Sequence, residues 1–198
     1  MFRPPPPLTQ SLIGLNVIAF ALEAMLGERW FVDFMLWPFG RAFAPWQILT
    51  YGFLHGSLTH LLFNMFALYM FGSDLESVWG QKRYLIYYLT CIISAAIAQL
   101  IVTSLMGSGY PTVGASGGVF GLLLAFGMMF PRRTVVLLIP PIPMPAWLFV
   151  TLYGLLELYL GVTRSASGVA HFAHLGGMVG GYLLIVYGRS GGRGRRRH

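Results

Sequence analysis

Residues 83–105 read RYLIYYLTCIISAAIAQLIVTSL, a run whose single charge, Arg83, stands at its first position. As a helix it reaches roughly 35 Å at 1.5 Å per residue, enough to cross a hydrocarbon core of about 30 Å. A run this apolar and unbroken also argues against a transmembrane barrel, whose segments of about ten residues alternate. The rest of the chain agrees. Of its 198 residues 56% are hydrophobic and only 10% charged, against roughly 25% charged in an average soluble domain. A soluble surface cannot be covered with so few polar groups, and low hydrophobicity, the signature of disorder, is absent. The fold class is an all-α integral membrane protein. At about 20 residues per span, this length holds six or seven helices and no sizeable second domain.

Outward from 83–105, five further helices are expected at 11–26, 57–71, 116–130, 146–160 and 168–187. Pro4 to Pro7 should be extended before the first, and Ser57 is a suitable N-cap for the second. Ala19, Phe20 and Ala21 resemble a signal-peptidase site, but Asn16 and the later spans favour a retained helix. The chain then divides into a short Pro-rich cytoplasmic N-terminus (1–10), a six-helix core (11–188) and a basic cytoplasmic tail (189–198). The net charge of +7 is largely a property of that tail, which holds Arg189, Arg193, Arg195, Arg196 and Arg197. It reads as a topological label with possible anionic-lipid contact, not as a nucleic-acid surface. With both termini cytoplasmic, Arg3, Lys82, Arg83, Arg132, Arg133 and the tail lie inside, and Arg29, Arg41 and Arg164 outside. That orientation suits a cell inner (plasma) membrane. The connection 28–48 carries Trp30, Phe31, Phe34, Trp37, Phe39, Phe43 and Trp46, which suits a segment in the membrane interface or an ordinary aromatic belt. The single Cys91 lies in an apolar run and should pack in the core.

Intramembrane polar groups are costly, and by default they mark function. The second, fourth and sixth helices all run inward from outside, and each carries such groups near its start: His60 and Asn64; Gly114 to Gly118 around Ser116; His171 and His174. The fourth helix is only about 22 Å long, so Ser116 should begin below the outer boundary, where irregular backbone is tolerated only beside a cavity or within protein. A serine hydroxyl becomes a nucleophile when a base takes its proton, and a helix start offers N–H groups to an oxyanion. His60 and Asn64, spaced i, i+4, share one helix face and offer further donors. The base must be an imidazole, because no carboxylate accompanies these residues. Glu157 in the fifth helix is the one acid within reach, and a structural or snorkelling role is expected for it. The pattern is that of a Ser–His dyad.

The stretches His55-Gly-Ser-Leu-Thr-His60-Leu-Leu-Phe-Asn64, Gly114-Ala115-Ser116-Gly117 and Ala173-His174-Leu175-Gly176-Gly177 together resemble the rhomboid family of intramembrane serine proteases. The resemblance in order, spacing and helix number extends over 8–188. It implies Ser116 as nucleophile, His174 as base, and His60, Asn64 and the Ser116 N–H as the oxyanion hole. Gly114, Ala115, Gly117, Phe120 and Gly177 would support them, and Glu76 matches a structural acid of the family. Between the two candidate bases, the family places a Gly three residues after the His. Gly177 satisfies this for His174, whereas His171 has His174 in that position. Ala170, Gly177 and Gly181 share the His174 face, a small-residue face that lets two helices approach closely. Phe120, at i+4 from Ser116, can stack on His174, although some members carry Tyr there. Trp46 is followed by Gln47 where an Arg is often found.

The resemblance implies peptide-bond hydrolysis in single-span membrane proteins near the outer face, with membrane lipids as surroundings and no metal or cofactor. Two rival readings are a non-proteolytic rhomboid-like factor that binds membrane proteins for quality control, and a proton-coupled channel or transporter that uses the His. Residues 114–118 also satisfy G-x-S-x-G, but that nucleophile elbow needs a preceding strand, and a short polar loop precedes it here. The glycines taken alone are explained by tight helix packing, and a generic membrane Ser by a bond to its preceding turn.

Overall fold

The first helix, α1 (Pro7–Leu26), starts at a proline, whose missing N–H is no loss in the first turn. In the computed structural model, which describes residues 4–40, 42–107, 109–137, 140–163 and 170–194, the next free N–H groups go to a distant acid. Leu8 and Thr9 donate their backbone N–H to the Glu76 carboxylate at 3.0 and 2.7 Å, and the Thr9 hydroxyl adds a third bond at 2.7 Å. The helix therefore begins before residue 11, and Pro7 belongs to it rather than to an extended segment.

A short helix, α2 (Gln47–Thr50), follows the aromatic-rich connection after α1. Ser57 then caps α3 (Leu58–Ala67), its Oγ accepting the His60 N–H at 3.1 Å. The run does not end at residue 71 as expected. It passes through a π-helical segment (Leu68–Gly72) into α4 (Ser73–Trp79). The polar residues that disguised the extension are spoken for: Glu76 holds α1, and Asp74 pairs with Arg133 at 2.8 Å. Gly80, at φ +73°, ends α4 and opens α5 (Gln81–Met106). After it come α6 (Ser116–Met129), α7 (Ala146–Thr163) and α8 (His171–Gly194). The protein is mostly helical. A small antiparallel sheet lies between α6 and α7, β1 (Thr134–Val136) with β2 (Pro143–Pro145), Val135 opposite Met144.

By length and composition α1, α5 and α7 can each cross a membrane, and α6 is a shorter apolar helix. Burial separates their roles. Only 17% of the most apolar window of α1 and 22% of that of α7 are covered by protein, against 39% for α5. The outer faces of α1, α3 and α7 carry Leu15, Ile18, Leu62, Phe63, Leu155 and Tyr159, a surface fit for lipid rather than water. α5, α6 and α8 pack together at the centre. Small residues set their spacing: a Cβ on Gly117 would strike Ala95, on Gly121 Cys91, on Gly176 Ala98 and on Gly180 Ser94. In the absence of a hydrophobic force between helices, such close approach carries the association. Cys91 is fully buried in this packing.

Of the residues used to orient the chain, Arg3, Arg41, Arg164 and Arg195 to Arg197 lie outside the described residues, as do Gly168 and the side chains of Arg189 and Arg193. The connection before α2 is anchored at Gln47, which is 1% exposed. Its Nε2 donates to the carbonyls of Asp33 and Ala42 at 3.2 and 2.9 Å, and its Oε1 accepts the Trp37 N–H at 3.2 Å. Trp46 Nε1 adds a bond to the Asp33 carbonyl at 2.9 Å. The chain thus has an anchor where Arg was missed, while Trp30, Phe34, Phe39 and Trp46 remain exposed.

Candidate active site

Ser116 is the first residue of α6, and the loop before it is fixed from outside. Leu36 and Thr112 exchange backbone bonds at 3.0 and 2.9 Å, and the Gly114 N–H donates to the Tyr51 carbonyl at 2.9 Å. Tyr51 is itself held by its hydroxyl, which donates to the Ile92 carbonyl at 2.8 Å. Gly114 sits at φ +133°, and a Cβ there would lie 2.7 Å from His60 Cε1, 2.9 Å from His60 Nε2 and 3.6 Å from Ser116 Oγ. Only glycine meets both the conformation and the space. The same numbers show that the His60 ring edge and the Ser116 hydroxyl border one small volume.

α8 brings His174 to that hydroxyl. His174 Nε2 lies 2.8 Å from Ser116 Oγ. The imidazole stacks on Phe120, with centroids 4.3 Å apart and planes 6° from parallel. The approach depends on Gly177, three residues beyond His174, where a Cβ would run into the Gly117 carbonyl. Ser116 is half-buried and His174 buried. A hydroxyl bonded to an imidazole is the geometry of an activated nucleophile.

The other predicted residues are placed as follows. Asn64 is buried one turn along α3 from His60, and its Nδ2 has no hydrogen-bond partner among the described residues. A buried unpaired donor is costly and calls for an explanation. Ala115 is the fully buried residue preceding α6. His55 is buried with its ring 5.0 Å from that of His60, edge to face.

One expectation is overturned. A carboxylate does accompany these residues. Glu157 is 7% exposed, its carboxylate covered by protein. Its Oε2 lies 2.9 Å from His174 Nδ1 and 2.7 Å from His171 Nδ1. The separation in sequence hid it, but one signal was present: Gly161, at i+4, lies on the same face of α7. That glycine lets α7 close onto the first turn of α8, where a Cβ would lie 3.2 Å from His171 Cβ and from the Phe172 ring. Glu157, His171 and His174 each offer one ligand atom, all within 4.8 Å of one another, and a two-imidazole, one-carboxylate set is of a kind that holds zinc. As placed, both imidazoles bond to the one carboxylate oxygen.

The fold and site define a class: a multi-pass membrane protein whose central helices bury a hydroxyl–imidazole pair beside unpaired donors. The comparisons with known proteins specify it. The Rhomboid domain model matches residues 42–191, and the chain belongs to the rhomboid family. It is 29% identical over 193 residues to Rhomboid protein 1, mitochondrial, of Saccharomyces cerevisiae, covering 92% of this chain and 54% of that protein. It is 30% identical over 143 residues to Rhomboid protease GluP of Bacillus subtilis, covering 71% of this chain and 25% of the relative. With Rhomboid protease GlpG of Yersinia pestis the identity is 25% over 190 residues, covering 91% and 62%. The chain thus spans less than two thirds of the length of each.

Proposed function

We propose that this protein is an intramembrane serine endopeptidase in which Ser116 and His174 form a catalytic dyad that hydrolyses peptide bonds in or near transmembrane segments. The observation that carries the reading is the 2.8 Å contact of Ser116 Oγ with His174 Nε2. His174 Nε2 takes the Oγ proton as Oγ attacks the scissile carbonyl carbon, and the carbonyl π pair moves to oxygen. The Ser116 N–H, the Asn64 Nδ2 and the His60 side chain receive that oxyanion, which gives the unpaired Asn64 donor its partner. On collapse the C–N bond breaks and His174 delivers its proton to the leaving amine. Water then hydrolyses the acyl-enzyme by the same steps. No cofactor enters this scheme.

The proposed substrates are single-span membrane proteins cut near the outer face. In this reading α1, the run from α3 through α4, α5, α6, α7 and α8 are six spans, with both termini cytoplasmic in a cell inner membrane. The named relatives include both bacterial and mitochondrial proteins, and the distribution of basic residues supports the orientation of the termini. The hydroxyl bonded to an imidazole favours the protease over a non-proteolytic relative.

The test is reconstitution in liposomes with a model single-span substrate and labelling by a fluorophosphonate. Wild type should cleave and label. Ser116→Ala and His174→Ala should insert normally and do neither. Full cleavage by either variant would sink the dyad, and ion flux without cleavage would favour a transporter.

A further inference from the structure

Glu157 lies outside the dyad chemistry, yet it is a buried acid directed at the ring atom of His174 that faces away from Ser116. We propose that Glu157 is a positioning residue of the hydrolytic site, its carboxylate fixing the tautomer and orientation of His174 and offsetting the charge His174 acquires. The proposal rests on the serine-protease reading above.

A carboxylate only accepts hydrogen bonds, whereas a neutral imidazole carries one N–H and one acceptor nitrogen. At 2.9 Å from Glu157 Oε2, His174 Nδ1 must hold the proton. Its Nε2 is then a bare lone pair facing Ser116 Oγ at 2.8 Å, the form a general base requires. Stacking on Phe120 sets the ring plane, but a stacked ring accepts either tautomer, so the carboxylate makes the choice.

Charge gives the second argument. Proton transfer from Ser116 to His174 with no acid nearby would create an imidazolium and an oxyanion together in an apolar bundle, where separated charges are expensive. With Glu157 present the site begins with one negative charge. When His174 becomes cationic it is paired with the carboxylate, and the remaining negative charge resides on the oxyanion. The imidazolium and the oxyanion still form together, but the cation forms in contact with an anion already in place instead of unpaired.

His171 shares the same oxygen at 2.7 Å. The same logic places its proton on Nδ1, and its Nε2 has no hydrogen-bond partner among the described residues. His171 therefore holds the carboxylate from the far side without reaching the nucleophile. The groups facing this carboxylate are thus His171 and His174 of α8, with Ser116 and Phe120 of α6 beyond them.

The experiment uses the full chain in liposomes. Glu157→Gln should lower kcat by about 10⁴-fold, the loss seen when the third member of such a unit is removed, with KM within about twofold. Glu157→Asp should regain at least tenfold over Gln. His171→Gln should fall less than Glu157→Gln. Tautomers are read directly by ¹⁵N-histidine NMR of wild type, with no variant needed: His174 protonated at Nδ1 is expected, and protonation at Nε2 overturns the proposal. So does a folded Glu157→Gln chain with kcat within threefold of wild type, a His171→Gln loss as deep as that of Glu157→Gln, or wild-type activity lost to a chelator and restored by zinc. If wild type neither cleaves nor labels, the protease reading fails and this proposal falls with it. Cleavage by wild type with Glu157→Gln unimpaired removes only the role of the acid.

Discussion

Gly177→Ala tests whether the small-residue face of α8 exists to bring base and nucleophile together. A Cβ at this position collides with the backbone carbonyl of Gly117, and backbone cannot swing aside as a long side chain can. Relief requires α8 to move away from α6 by roughly 1 Å, and overpacking of this type costs about 1–3 kcal/mol of stability. The movement is delivered where it matters. Gly117 is the neighbour of Ser116, and Gly177 lies one turn from His174, whose Nε2 is 2.8 Å from Ser116 Oγ. Adding that displacement takes the pair beyond hydrogen-bond range, and misplacement of about 1 Å lowers rate by roughly 10²-fold. Gly177→Ala should therefore insert and stay folded, with a kcat about 10²-fold below wild type on the model substrate in liposomes. Gly188→Ala is the control on the same helix, because a Cβ there meets nothing within 4 Å. It should leave kcat unchanged. A folded Gly177→Ala protein with kcat within threefold of wild type would refute the argument that this contact sets the dyad distance.

Three further substitutions probe two separate parts of the molecule. Asn64→Ala removes the buried unpaired donor and should lower kcat by about 10²–10³-fold, the loss typical of one oxyanion donor; a kcat equal to wild type would remove Asn64 from the site, and His60→Ala is read the same way. Glu76→Ala leaves the Leu8 and Thr9 N–H groups without their acceptor and should lower stability by about 3 kcal/mol. A thermal melt in detergent should show an earlier transition for Glu76→Ala, and an unchanged midpoint would mean that α1 holds without this cap.

What could be read from sequence follows from the physics of each signal. An apolar run such as 83–105 needs no partner to be recognised, because bilayer thickness supplies the ruler. Helix ends were less legible where a distant residue satisfied them. Pro7 looked extended because the acceptor for the N–H groups beyond it is Glu76, far along the chain. The second helix was bounded near residue 71 because the apolar run gives way there to Ser73, Asp74 and Glu76, although Glu76 is buried against α1. Gln47 illustrates a substitution of means: a neutral amide with two donors and an acceptor holds the connection as a charged anchor would, and its three bonds run to backbone that no motif displays.

The site was legible where its residues are ordered by local geometry and hidden where they meet across helices. Ser116 stands at a helix start between glycines, and His60 and Asn64 share a face by spacing alone. Glu157 belongs to a helix apolar on every side, so periodicity could not say which neighbour it meets, and a lone acid in such a helix is expected to stretch toward water. Gly161 resolves the ambiguity, since a small residue one turn away marks the face that approaches another helix. In water a carboxylate near an imidazole is a modest interaction. Within an apolar bundle the same carboxylate cannot be left unpaired, and here its two partners are the imidazoles at the start of α8. One of them is bonded to the Ser116 hydroxyl that opens α6 in the centre of the bundle. The shortage of polar groups that first marks this chain as a membrane protein therefore also limits where its two buried acids can stand: Glu76 on the first turn of α1, and Glu157 against the imidazoles of α8.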